Sequence, residues 1–78
     1  MNFANAFSEL IYHTNRGVSC FMRRYDWNLN TRVRIQVPDE HSKMSHPYLY
    51  VESDNGAVPW IPNVVEMFAD DWIVNQGQ

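Results

Sequence analysis

The 78-residue sequence predicts a small α+β domain: an antiparallel sheet of four or five short strands, an N-terminal helix, and a second short helix near the C-terminus. Three observations carry that expectation. Phe3, Ala6, Phe7, Leu10 and Ile11 recur at i, i+3, i+4, i+7 and i+8, which is one apolar stripe of a helix. Thr31–Val37 and Tyr48–Glu52 alternate apolar and polar residues with period two, the pattern of half-buried strands. Asp54-Asn55-Gly56 then marks a turn, because Asn and Gly adopt positive φ at low cost.

Each element has its own local signals. Asn2 is suited to cap the first helix, and Gly17 to stop it. Val18–Arg23 reads as the first strand, with Val18, Cys20 and Met22 alternating with Ser19, Phe21 and Arg23. The stretch 25–30 reads as a loop, marked by Asp26, Asn28 and Asn30. In the next strand Val33, Ile35 and Val37 face inward, Arg32, Arg34 and Gln36 face outward, and Pro38 ends it. Residues 39–46 form a polar connection without periodicity. Leu49 and Val51 share one face of the following strand, opposite Tyr48, Tyr50 and Glu52. The return strand, 57–61, contains Pro59, which donates no hydrogen bond and so belongs at a sheet edge or a bulge. Asn63, with Glu66 three residues on, forms a capping box for a short apolar helix of Val64, Val65, Met67 and Phe68. Asp70-Asp71 opposes the helix dipole at its C-terminal end, so the chain is expected to leave through a short last strand at Trp72-Ile73-Val74.

The totals narrow the class. A chain of this size forms one domain, residues 1–78, and buries only roughly 60% of its unfolded surface, so association between copies is expected. Aromatic residues make up 14% and charged residues 19%, a composition that argues against disorder. A single cysteine, Cys20, excludes an intrachain disulfide and suits a reducing compartment. Its strand position points to an inert core thiol. No apolar run approaches the roughly 20 residues of a membrane span, and the first ten residues lack the basic start and cleavage pattern of a signal peptide.

Charge is unevenly distributed. Residues 1–43 hold six basic and four acidic groups, whereas residues 44–78 hold five acidic groups and no basic one. A net charge of −3 argues against binding a DNA or RNA polymer, which needs many cations to neutralise phosphates. The simplest role for the arginines is pairing with the acidic second half. The alternative is a face around Arg23, Arg24, Arg32 and Arg34 that holds a few phosphates.

Catalytic patterns are missing. His41 and His46 lie near Asp39 and Glu40, but no ligand spacing matches a closed metal site. Asp70 and Asp71 diverge by about 100° if helical, so they do not converge on one atom. One of them suits a hydrogen-bond acceptor for a ligand. The three glycines are scattered at 17, 56 and 77, so there is no phosphate loop. No enzyme activity, metal or cofactor is expected. Trp27-Asn28 stands out, because a Trp in a polar loop needs a cover: a stacked base, the core, or another subunit. The Asn amide beside it suits a base edge or a ribose hydroxyl.

Taken in order, these segments resemble the Thoeris anti-defense two family of small phage-encoded proteins. The resemblance rests on an amphipathic helix opening Met-x-Phe, on Arg24-Tyr25-Asp26-Trp27-Asn28, and on Ser42-Lys43-Met44 with Pro47-Tyr48-Leu49-Tyr50. It continues through Val58-Pro59-Trp60 and the capped helix running into Ala69-Asp70-Asp71-Trp72. The chain departs from the family pattern at Asp26 and Leu29, where Gly is common, and at Asn63-Val64, where Ser-Gln is frequent. It is also short between the second and third strands. The resemblance implies a non-enzymatic sponge in the cytoplasm of the infected bacterial host. Such a protein holds a nucleotide second messenger, a cyclised ADP-ribose derivative or a cyclic dinucleotide, away from its effector. It implies a homotetramer with sites between subunits. The ligand site expected on this basis is Arg24, Trp27, Asn28, Tyr48, Trp60 and Asp71. In it, aromatics stack on the base while Asn28 and arginines take ribose and phosphate oxygens. The competing expectation is a protein-binding module that uses Tyr48, Tyr50 and Trp60 as anchors.

Overall fold

A computed structural model describes residues 1–41, 43 and 45–77. The elements run α1 (Phe3–Asn15), β1 (Cys20–Arg24), β2 (Arg32–Gln36), β3 (Tyr48–Ser53), β4 (Gly56–Pro59), α2 (Val64–Phe68) and β5 (Trp72–Gln76). The strands form one antiparallel sheet in the order β4-β3-β2-β1-β5. The α+β expectation therefore holds, with five strands. Of the family-like segment at 42–44, Ser42 and Met44 lie outside the described residues.

Both helices are set by their caps. Asn2 accepts from the Asn5 amide at 2.8 Å and starts α1. At the other end Gly17 turns to φ +76°. The Gly17 and Val18 amides then donate back to the Thr14 and His13 carbonyls, which satisfies two groups the helix leaves unpaired. This explains a difference from the sequence reading: the first strand begins at Cys20, not at Val18. The Val18 amide caps the helix and is not free for the ladder. At α2, Asn63 Oδ1 accepts from the Glu66 amide and Glu66 Oε1 from the Asn63 amide, both at 2.8 Å. The capping box read from the sequence is complete.

The core lies between α1 and one face of the sheet. Ala6, Leu10, Cys20, Met22, Val33 and Trp72 are buried there, with Ile35, Leu49, Val51 and Val74 packed against them. Cys20 Sγ–H donates to the Leu10 carbonyl at 3.7 Å, as expected of a core thiol. Val37 departs from its expected inward place. The strand ends at Gln36, and Val37 is exposed beyond it.

Pro59 sits in β4, which pairs only with β3 and is an edge strand, as a residue without an amide proton requires. On the opposite face of the sheet Phe21 is buried beneath two guanidinium groups, with Arg32 at 4.5 Å and Arg34 at 5.2 Å from its ring centre. Arg34 also pairs with Glu52 at 2.6 Å and donates to the Cys20 carbonyl. The arginines on this face therefore carry structural bonds. Beside them, burial and then Glu52 push the Tyr50 phenol above its ordinary value.

Candidate functional site

Three tryptophans from three separate segments meet at one place. Trp27 comes from the β1–β2 loop, Trp60 from the end of β4, and Trp72 from the start of β5. Their ring centres lie 5.3 Å apart for Trp27–Trp72, 6.1 Å for Trp60–Trp72 and 6.4 Å for Trp27–Trp60, all edge to face. Phe3 closes the group from α1, at 5.5 Å from Trp72 and 6.4 Å from Trp60. Edge-to-face pairs at these distances contribute beyond their buried area, about 0.5–1.5 kcal/mol each. Trp72 is fully buried at the centre, while Trp27 and Trp60 are half-buried around it. The cover that Trp27 requires is thus supplied within the chain.

Beside this cluster Arg24 and Asp71 form a two-pronged pair, Nε to Oδ1 at 2.9 Å and Nη2 to Oδ2 at 3.3 Å. The Tyr25 amide donates to the Asp71 carbonyl at 3.0 Å, so backbone and side chains join the same two segments. The hydrogen bond from Arg24 holds the Asp71 carboxyl below the usual carboxylate range, and Asp71 raises the Arg24 guanidinium in return.

Trp60 also faces outward. With Tyr48, Leu49, Pro59, Ile61 and Pro62 it lines an open, mainly apolar groove of about 520 Å³. A second groove of about 310 Å³ continues from it past Tyr48 and Leu49, between α1 and the β2–β3 pair. Phe7, Ile11, Ile35 and Val37 form its walls. Residues 1–75 match the family model of the Thoeris anti-defense 2-like domain. The chain belongs to the Thoeris anti-defense 2-like family. Its membership carries an anti-defence role against Thoeris. No curated protein matches the chain.

Four of the segments that make this Thoeris anti-defense 2-like chain resemble its family meet in the cluster. Met-x-Phe supplies Phe3, Arg-x-x-Trp-Asn supplies Arg24 and Trp27, Val-Pro-Trp supplies Trp60, and Ala-x-Asp-Trp supplies Asp71 and Trp72. Four of the six expected site residues, Arg24, Trp27, Trp60 and Asp71, therefore lie together. Tyr48 lines the same groove as Trp60. Asn28 is exposed in its own loop, where its Oδ1 accepts from the Asn30 amide at 2.9 Å and its carbonyl from the Thr31 amide.

Two refinements follow from this geometry. The Arg24 guanidinium is engaged by Asp71, so the arginine–acid pairing inferred from the charge distribution is realised here and at Arg34–Glu52. Tyr50 packs on the open face with Arg34 and Glu52, whereas the Trp60 ring packs on the core side, so these two do not make one surface. Sequence reasoning missed Pro59, Ile61 and Pro62 as walls of the groove. The clustered prolines that signal a strand end also make a rigid apolar wall there. Among the described residues no group of three or more His, Cys, Asp or Glu is placed to hold a metal. Among the described residues no helix is long and apolar enough to cross a membrane.

Proposed function

We propose that the chain binds a nucleotide second messenger of a Thoeris-type defence system and withholds it, uncleaved, from its effector. The messenger class is a cyclised ADP-ribose derivative or a cyclic dinucleotide. Its base lies in the groove against Tyr48 and Trp60, where a flat ring gains roughly 1–3 kcal/mol by stacking. We assign the Arg24–Asp71 pair and Asn28 to sugar and phosphate contacts completed in a homotetramer.

The observation that carries this reading is the Tyr48–Trp60 groove in a chain matched to the family over residues 1–75. An aromatic-walled cleft lacking a convergent acid–base pair suits holding a ligand better than transforming one.

The test is a capture experiment. Protein is incubated separately with cyclised ADP-ribose isomers and cyclic dinucleotides, freed of unbound ligand, and denatured. Release of intact nucleotide is the expected result. Release of altered nucleotide would make the chain an enzyme, and release of none from any messenger would overturn the proposal.

A further inference from the structure

One face of the sheet packs against α1 and the core, and among the described residues no helix lies on the other. That open face is not composed like a solvated one. Lysine is absent from all five strands, and Glu52 is their one acidic residue. Arg23, Arg32 and Arg34 stand on the open face around Phe21, with Tyr50 opposite Arg34. Phe21 is only 7% exposed, although no helix covers it, because Arg32 and Arg34 stack on its ring. Each guanidinium is also held by hydrogen bonds. Arg23 Nη1 donates to the Arg24 and Tyr25 carbonyls at 3.1 and 3.2 Å, Arg32 Nε donates to the Leu29 carbonyl at 3.3 Å, and Arg34 pairs with Glu52. A carbonyl positions a guanidinium without cancelling its charge. The open-face strand positions thus hold three cations against one carboxylate, while the rest of the chain holds three basic and eight acidic residues.

We infer that this open face docks a short acidic segment of another protein, whose carboxylates meet the arginines while its apolar side chains pack on Tyr50 and Ile73. Two features mark the face as a contact surface. Arginine and aromatic residues with no lysine are the make-up of interface cores, not of solvated strands. The arginines are also fixed beforehand, so a partner's carboxylates meet planar forks whose freedom is already spent.

The charge selects the occupant. A two-fold contact with a second copy would set arginine against arginine across the axis. A nucleic-acid strand running beyond the face would meet the acidic remainder of the molecule. A short acidic segment meets neither obstacle. Docking here is independent of the messenger reading, since Arg23, Arg32 and Asn75 line neither groove beside Trp60 and Tyr48.

The test uses the full chain and two fluorescein-labelled probes: a peptide of alternating Glu and Tyr, and a single-stranded oligodeoxynucleotide of equal charge. By fluorescence anisotropy, wild type is expected to bind the peptide more tightly than the oligonucleotide, with an affinity that falls as salt is added. Asn75 is exposed and pairs with Phe21 across β5 and β1. Asn75→Glu therefore adds an acid to the face without removing an arginine. It is expected to weaken the peptide about tenfold, with melting temperature and nucleotide capture unchanged. Arg23→Gln is expected to weaken the peptide as well. No peptide binding by wild type, oligonucleotide binding as tight as the peptide's, or wild-type peptide affinity in both variants would overturn the inference. Absent peptide binding together with a lower mass for Asn75→Glu by light scattering would give the face to a second copy. Peptide binding by a wild type that releases no nucleotide in the capture experiment would overturn the functional proposal alone.

Discussion

The indole nitrogen of Trp72 donates to the main-chain carbonyl of Glu66 at 2.8 Å, tying a fully buried ring to the end of an exposed helix. Trp72 is thus both the centre of the aromatic cluster and the anchor of α2. Trp72→Ala should lower stability by about 3–5 kcal/mol, the usual cost of emptying a buried aromatic site. Trp72→Phe keeps a ring but loses the donor, and should cost about 1–3 kcal/mol. Denaturant melts of the two variants check the order.

The Asn63–Glu66 box carries a helix too short to persist unaided. Asn63→Ala should cost about 1 kcal/mol, a drop of roughly 4–8 °C in melting temperature for a domain of this size. Hydrogen exchange should quicken at the α2 amides and stay unchanged in α1. Equal loss of protection in both helices would contradict this account.

The Arg24–Asp71 pair sets a pH response. Because Asp71 is held below its ordinary range in the folded state, the unfolded chain binds its proton more readily as pH falls. The pair's contribution is present above the unfolded value of about 4 and is lost as pH drops below it. Asp71→Asn should lower the neutral-pH melting temperature and flatten its decline as pH falls below about 4. A parallel pair of curves for the two proteins would show that the pairing adds nothing.

Three variants separate groove from scaffold. Tyr48→Ala should weaken capture of the messenger about 5- to 150-fold, the value of one stacked base, with a small change in melting temperature. Trp27→Ala should destabilise the fold as well, since its ring packs on Trp60 and Trp72. Asn28→Ala should loosen its own turn and leave melting within about 1 kcal/mol of wild type. Affinity and melting temperature measured on all three decide the matter, and wild-type affinity in Tyr48→Ala would remove the groove from the site.

The sequence was most informative where one local rule acts alone. Asn2, Gly17, the Asn63–Glu66 box and Pro59 each declare a cap or an edge through a backbone bond they make or cannot make, and each stands where it was expected. The site was less legible for a physical reason. Trp27 reads as a lone aromatic in a polar loop because its neighbours, Trp60 and Trp72, are 33 and 45 positions away along the chain. Only the sheet order brings them together. The exposure of α2 was equally hidden, since Val64, Val65, Met67 and Phe68 look the same in sequence whether they turn toward the core or away from it.

The placement of β5 beside β1 also governs how the molecule is made. Cys20 pairs with Gln76 and Arg24 with Trp72, so the last strand in chain order completes the centre of the first. Pairings across such sequence distances close late. A nascent chain that has passed β4 already holds β1 to β4 but lacks the ring that fills the core. Until β5 pairs with β1, the core faces of α1 and β1 therefore lack the ring that covers them.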